Sequence, residues 1–87
     1  MADLDVSVVS ADQQVWTGTA SMIVARTTEG EIGVLPDHEP LLAILTPGEI
    51  RITDTEGGRL TAKADNGFLS VEHNRVTIVA RHVELVP

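Results

Sequence analysis

Ile50-Arg51-Ile52-Thr53-Asp54-Thr55-Glu56-Gly57-Gly58-Arg59-Leu60-Thr61-Ala62-Lys63-Ala64 is the stretch whose pattern sets the fold class. On either side of Gly57-Gly58, apolar and polar residues alternate: Ile50 and Ile52 with Arg51 and Thr53, then Leu60, Ala62 and Ala64 with Thr61 and Lys63. Successive side chains of a strand point to opposite faces, so a period of two marks strands with one face buried. Leu4, Val6 and Val8 repeat the pattern around Asp5 and Ser7, as do Val76, Ile78 and Ala80 around Thr77 and Val79. Turn pairs fall between the runs at Ala11-Asp12, Pro36-Asp37, Pro47-Gly48, Gly57-Gly58, Asn66-Gly67 and His73-Asn74. This spacing predicts an all-β sandwich or flattened barrel of roughly eight to ten short strands.

The same reading places Leu4, Val6, Val8, Trp16, Ile50, Ile52, Leu60 and Ile78 inside, and expects Trp16 and Phe68, the only aromatics, in the core, with an interface patch as the alternative for either. Asn66-Gly67 reads as a tight hairpin joining residues 60–64 to residues 68–71. In residues 22–27, Met22 and Val24 face one way while Ile23 and Ala25 face the other; this predicts a central strand, or one whose outer face a partner covers. Leu41–Leu45 is the nearest approach to a helix and is too short to be one. Residues 1–87 are expected to form a single domain.

Thirteen acidic side chains against six basic ones give a net charge of −7. That balance disfavours nucleic acid and anionic lipid and favours basic partners. The absence of cysteine removes disulfides and thiolate metal sites. No signal-peptide pattern opens the chain and no apolar run reaches membrane-spanning length, so no direct membrane insertion is expected.

Gly30-Glu31-Ile32-Gly33-Val34-Leu35-Pro36-Asp37-His38-Glu39-Pro40 reads as a shaped loop. Gly30 and Gly33 admit positive φ, and Pro36 and Pro40 fix φ and push the residues before them toward extended backbone. Glu29, Glu31, Asp37 and Glu39 are expected in one corner beside His38, and a loop so specified carries partner contacts. Nothing in it forms a phosphate loop or a dinucleotide fingerprint. His38, His73 and His82 are too scattered for a metal site. No catalytic residue, cofactor or metal is assigned.

The loop, with Ala43-Ile44-Leu45-Thr46-Pro47-Gly48-Glu49-Ile50-Arg51-Ile52 after it, resembles the epsilon subunit of the F-type ATP synthase. The stretches Val8 to Gly18, Asn66 to Val71 and Val76 to Ala80 fall in the order of that family, so the resemblance covers nearly the whole chain. It implies a noncatalytic rotor component of the central stalk, docking the gamma subunit onto the c-subunit ring and coupling proton-driven rotation to ATP synthesis. It implies a position on the cytoplasmic side of the bacterial plasma membrane, held there through the complex. It places the c-ring contact at Glu29, Gly30 and Glu31, facing polar loops that typically carry arginine, and the gamma contact at Ser10, Met22 and His38. Family members commonly continue into a C-terminal helical hairpin. Because the sequence stops at Pro87, coupling without hairpin-dependent inhibition or ATP binding is expected. The competing expectation is a stand-alone binding module whose loop acids hold Ca²⁺ or a basic peptide.

Overall fold

A computed structural model describes residues 3–11 and 13–86; Asp12, the second half of the Ala11-Asp12 turn, lies outside the described residues. Nine strands follow one another: β1 Leu4–Ser10, β2 Gln13–Thr27, β3 Gly30–Val34, β4 Leu41–Leu45, β5 Gly48–Asp54, β6 Arg59–Ala64, β7 Gly67–Glu72, β8 Arg75–Ala80 and β9 Val83–Val86. Among the described residues there is no helix.

The pairings divide the strands into two layers that share β2. The N-terminal part of β2 pairs with β1, and β8, β7 and β4 continue that sheet. The C-terminal part pairs with β3 on one side and β5 on the other, and β6 and β9 complete the second sheet. All these pairings are antiparallel except β1 with β8, which is parallel.

At its passage between layers, β2 carries a bulge. Ala20 lies opposite Asp54 and Met22 opposite Thr53, so Ser21 is an extra residue, and its hydroxyl donates to the carbonyls of Thr53 and Asp54, each at 3.3 Å. One inserted residue reverses which side of a strand faces in. Hence Ala20 is buried before the bulge, and Ile23, Ala25 and Thr27 are buried after it. Residues 22–27 are thus a central strand, as their two-faced apolar pattern suggests.

The inward faces supply one core. Leu4, Val6 and Val8 meet Ile23, Val34, Leu45, Ile50, Ile52, Leu69, Val71, Val76 and Ile78, all buried. Leu60 and Trp16 are only half-buried against this core. The Trp16 indole lies along its own strand over Gly18, partly buried and packed against the core. Phe68 departs further from expectation: it is 39% exposed on the outer face, because Leu69 and Val71 hold the inward positions of β7.

The expected hairpin at Asn66-Gly67 does not form. β6 pairs with β5 and β9, whereas β7 pairs with β4 and β8, so the segment carries the chain from one layer to the other. A Cβ on Gly67 would run into the backbone of Val79 and Ala80; close approach to β8, not a turn, is the reason for glycine. Replacing Ile52 with Ala should lower unfolding free energy by about 2 to 5 kcal/mol in a denaturant titration. Gly67→Ala should cost about 1 to 3 kcal/mol through forced backbone displacement. Gly33→Ala, where the added methyl meets open space, should be neutral or mildly stabilising.

Candidate functional site

The stretch expected to be one acidic corner is in fact two places. Gly30 to Val34 is edge strand β3, paired along β2, so Glu29 and Glu31 stand at the β2–β3 tip while Asp37 and Glu39 lie beyond the far end of β3. Gly30 takes the positive φ of 108° that the tip requires; Gly33 is ordinary strand. The buried Thr27 closes the tip: its hydroxyl donates to the Gly30 carbonyl at 2.8 Å and accepts the Glu29 N–H at 3.1 Å. Glu29, Gly30 and Glu31 are all exposed. Glu31 is already engaged, since its carboxylate accepts a 2.9 Å bond from the guanidinium of Arg51. Both partners are about half exposed, so the pair is worth only about 0 to 1 kcal/mol.

At the other end, Leu35 to His38 forms a turn in which the His38 N–H donates to the Leu35 carbonyl at 3.2 Å. Asp37 sits at φ 67°, and its N–H donates to Asn74 Oδ1 at 2.6 Å. Asn74 Nδ2 donates back to Asp37 Oδ1 at 3.3 Å, tying this loop to the β7–β8 turn. The acids therefore make structural bonds or stay solvated, and among the described residues no group of three metal-ligating side chains converges.

The three residues expected to form one partner contact are also apart. Ser10 ends β1; its Oγ accepts the Val83 N–H at 3.2 Å and donates to the Arg81 carbonyl at 3.4 Å. His38 lies beyond the opposite end of that same sheet, where Asn74 and the start of β1 meet. Met22 is exposed on the outer face of the other sheet, opposite Thr53.

Pattern reading missed an exposed apolar row. Ile44 pairs with Phe68, Phe68 with Val79 and Val79 with Val9, so four apolar residues form a row across β4, β7, β8 and β1. Leu42, 71% exposed, adjoins Ile44 at 55% along β4. Ser10 follows Val9 at the end of β1, with its side chain on the opposite side of the strand, paired with buried Ala80. All five residues of β4 are apolar, although a strand with one solvated face should be polar on that face; that was the available signal. A contiguous apolar row on an outer face is a candidate interface.

Comparison with known proteins gives these features a setting. A family profile described as "ATP synthase, Delta/Epsilon chain, beta-sandwich domain" matches residues 3–86. The ATP synthase epsilon chain of Micrococcus luteus is 49% identical over 85 residues, covering 98% of this chain and 93% of the relative. That of Streptomyces coelicolor is 44% identical over 84 residues, covering 97% of this chain and 68% of the relative. Among solved structures, a chain of the Euglena gracilis mitochondrial ATP synthase OSCP/F1/c-ring assembly superposes with a TM-score of 0.92 at 25% identity, over 98% of this chain and 54% of that one. This chain thus spans about half of the Euglena subunit. A chain of the Tetrahymena thermophila central stalk/c-ring structure shares the fold, with a TM-score of 0.77 at 17% identity over 93% of this chain and 65% of that one.

Thr27→Val should loosen the β2–β3 tip, with a loss of about 0.5 to 1.5 kcal/mol and faster amide hydrogen exchange at Glu29. Glu31→Gln should change the unfolding free energy by no more than about 1 kcal/mol in the same titration.

Proposed function

We propose that this chain, which belongs to the delta/epsilon β-sandwich family of ATP synthase subunits, is a noncatalytic rotor component that seats the gamma subunit with one surface and the c-ring with another. Residues 1–87 act as one docking domain in this reading, on the cytoplasmic side of the bacterial plasma membrane. No helix among the described residues is long and apolar enough to cross a membrane, which fits attachment through the complex. The family match supports the assignment, and the observation that carries the docking role is the apolar row on the outer face of the first sheet.

Gamma is seated on Ile44, Phe68, Val79 and Val9, with Leu42 and Ser10 at the rim. Partly apolar interfaces take most of their binding energy from a few large side chains at the centre, and Phe68 holds that position. His38 reaches gamma only where the contact extends to the far end of the sheet, and Met22 lies outside it. The c-ring contact uses Glu29, Gly30 and Glu31. Thr27 fixes the tip, and two carboxylates meet the arginine-bearing ring loops, where carboxylate and guanidinium pair in bidentate geometry. Torque passes because the two contacts stand on one hydrogen-bonded body: β2 ends in the acidic tip, and its first half pairs with β1 of the gamma face.

Ile44→Glu combined with Phe68→Glu should abolish co-purification with gamma while the melting temperature stays within a few degrees, because both side chains are already exposed. Met22→Glu should leave gamma binding intact. Retained binding in the first variant, or loss in the second, places gamma on the other face. Glu29→Lys with Glu31→Lys should weaken assembly onto the membrane sector in a salt-dependent way. Unaltered, salt-insensitive assembly would remove the ion-pair part of the proposal.

A further inference from the structure

The outer face of the second sheet holds a groove of about 380 Å³ floored by Met22 and Val24 and walled by Thr53, Thr61, Arg51 and Arg59. Four other surface cavities are each lined by at least one carboxylate; this one has two arginines and none, on a chain with thirteen acids and six bases. Arg51 pairs with Thr61 and Thr53 with Arg59, so the two arginines occupy a cross-strand diagonal. Cα atoms on such a diagonal are about 7 to 8 Å apart, within reach of long side chains. Arg59 makes no ion pair among the described residues, and Arg51 is neutralised only by the exposed Glu31 at the rim. With one exposed acid for two guanidinium groups, the groove keeps a net positive charge, which attracts an anion. Met22 is 37% exposed beside them, so an apolar side chain has a seat next to the charges.

We infer that this groove is a second docking surface, which takes an acidic segment of a partner protein: carboxylates bridge Arg51 and Arg59 while a neighbouring aliphatic side chain packs on Met22 and Val24. The chemistry is that of guanidinium–carboxylate pairing over an adaptable thioether floor. The groove lies on the sheet opposite the Phe68 row, so it is independent of the gamma seat. Glu31 competes intramolecularly for Arg51, and its removal therefore strengthens the docking.

The test uses the whole chain with labelled methionine methyl groups and arginine side chains, titrated by NMR with a capped peptide of glutamates flanking leucines. The expected result is saturable shifts at the Met22 methyl and at the Arg51 and Arg59 guanidinium N–H groups. Arg59→Glu should weaken the peptide about tenfold or more. Glu31→Gln should tighten it several-fold, and neither change should move the melting temperature by more than a few degrees. Gamma co-purification should survive Arg59→Glu, which separates failure here from failure of the rotor assignment. Absence of saturation overturns the inference, as does equal affinity for the same peptide with lysine in place of glutamate. Shifts centred on Phe68 would move the binding to the gamma face. Inorganic phosphate binding as tightly as the peptide would make the groove a free-anion site instead.

Discussion

The structure depends on one strand belonging to two sheets. β2 must pair with β1 through Gln13–Ala20 and with β3 and β5 beyond it, and its inward side must face the same core in both layers. A regular strand cannot do this as it passes from one layer to the other. The extra residue Ser21 reverses the inward parity, and its hydroxyl bonds two β5 carbonyls at the place where the ladder is interrupted. Everything else follows from that crossing: the position of the β2–β3 tip, the closure of the sandwich along one side, and the rigid link between the two outer faces.

The two outer faces differ in chemistry because the inner demand is the same for both. Apart from Thr27 at the β2–β3 tip, the buried inward positions are filled by aliphatics, so outward residues are what distinguish the layers. The first sheet places Ile44, Phe68, Val79 and Val9 in register. The second places Arg26 beside Glu31 and Lys63 between Glu49 and Glu84, leaving Arg51 and Arg59 around a small apolar floor. One face therefore gains from losing water and the other from exchanging ions. A domain of this size gains stability from any partner that binds the folded state, so the apolar face also shields a modest core.

Much of this was legible in the sequence. Period two identified Leu4, Val6, Val8, Ile50, Ile52 and Ile78 as inward, and all six are buried. The strand count and the absence of helix among the described residues came from the same signal. What could not be read was neighbourhood. Asn66-Gly67 looks like a hairpin because local turn chemistry resembles it, but strand partners are set by the whole sandwich, and β6 and β7 lie in different layers. The acids of residues 29–39 are close in the chain and separated in space, because residues 30–34 extend as a strand. The size of Phe68 favours the core over an interface patch, although Leu69 and Val71 already fix the parity of β7 and turn Phe68 outward. The Leu41–Leu45 run did contain the clue to the apolar face, since a strand with no polar residue presents apolar side chains on its outer side as well.

The central claim is that the outer face of the β4–β7–β8–β1 sheet is where this domain grips the gamma subunit. Its most direct test is a cryo-EM reconstruction of the assembled enzyme containing this chain, read at the level of side-chain contacts. The account predicts gamma density packed on Ile44, Phe68, Val79 and Val9, with the Glu29–Glu31 tip directed at the c-ring and Met22 facing away. Gamma seated on the Met22 and Arg59 face, with Phe68 left in solvent, would contradict it.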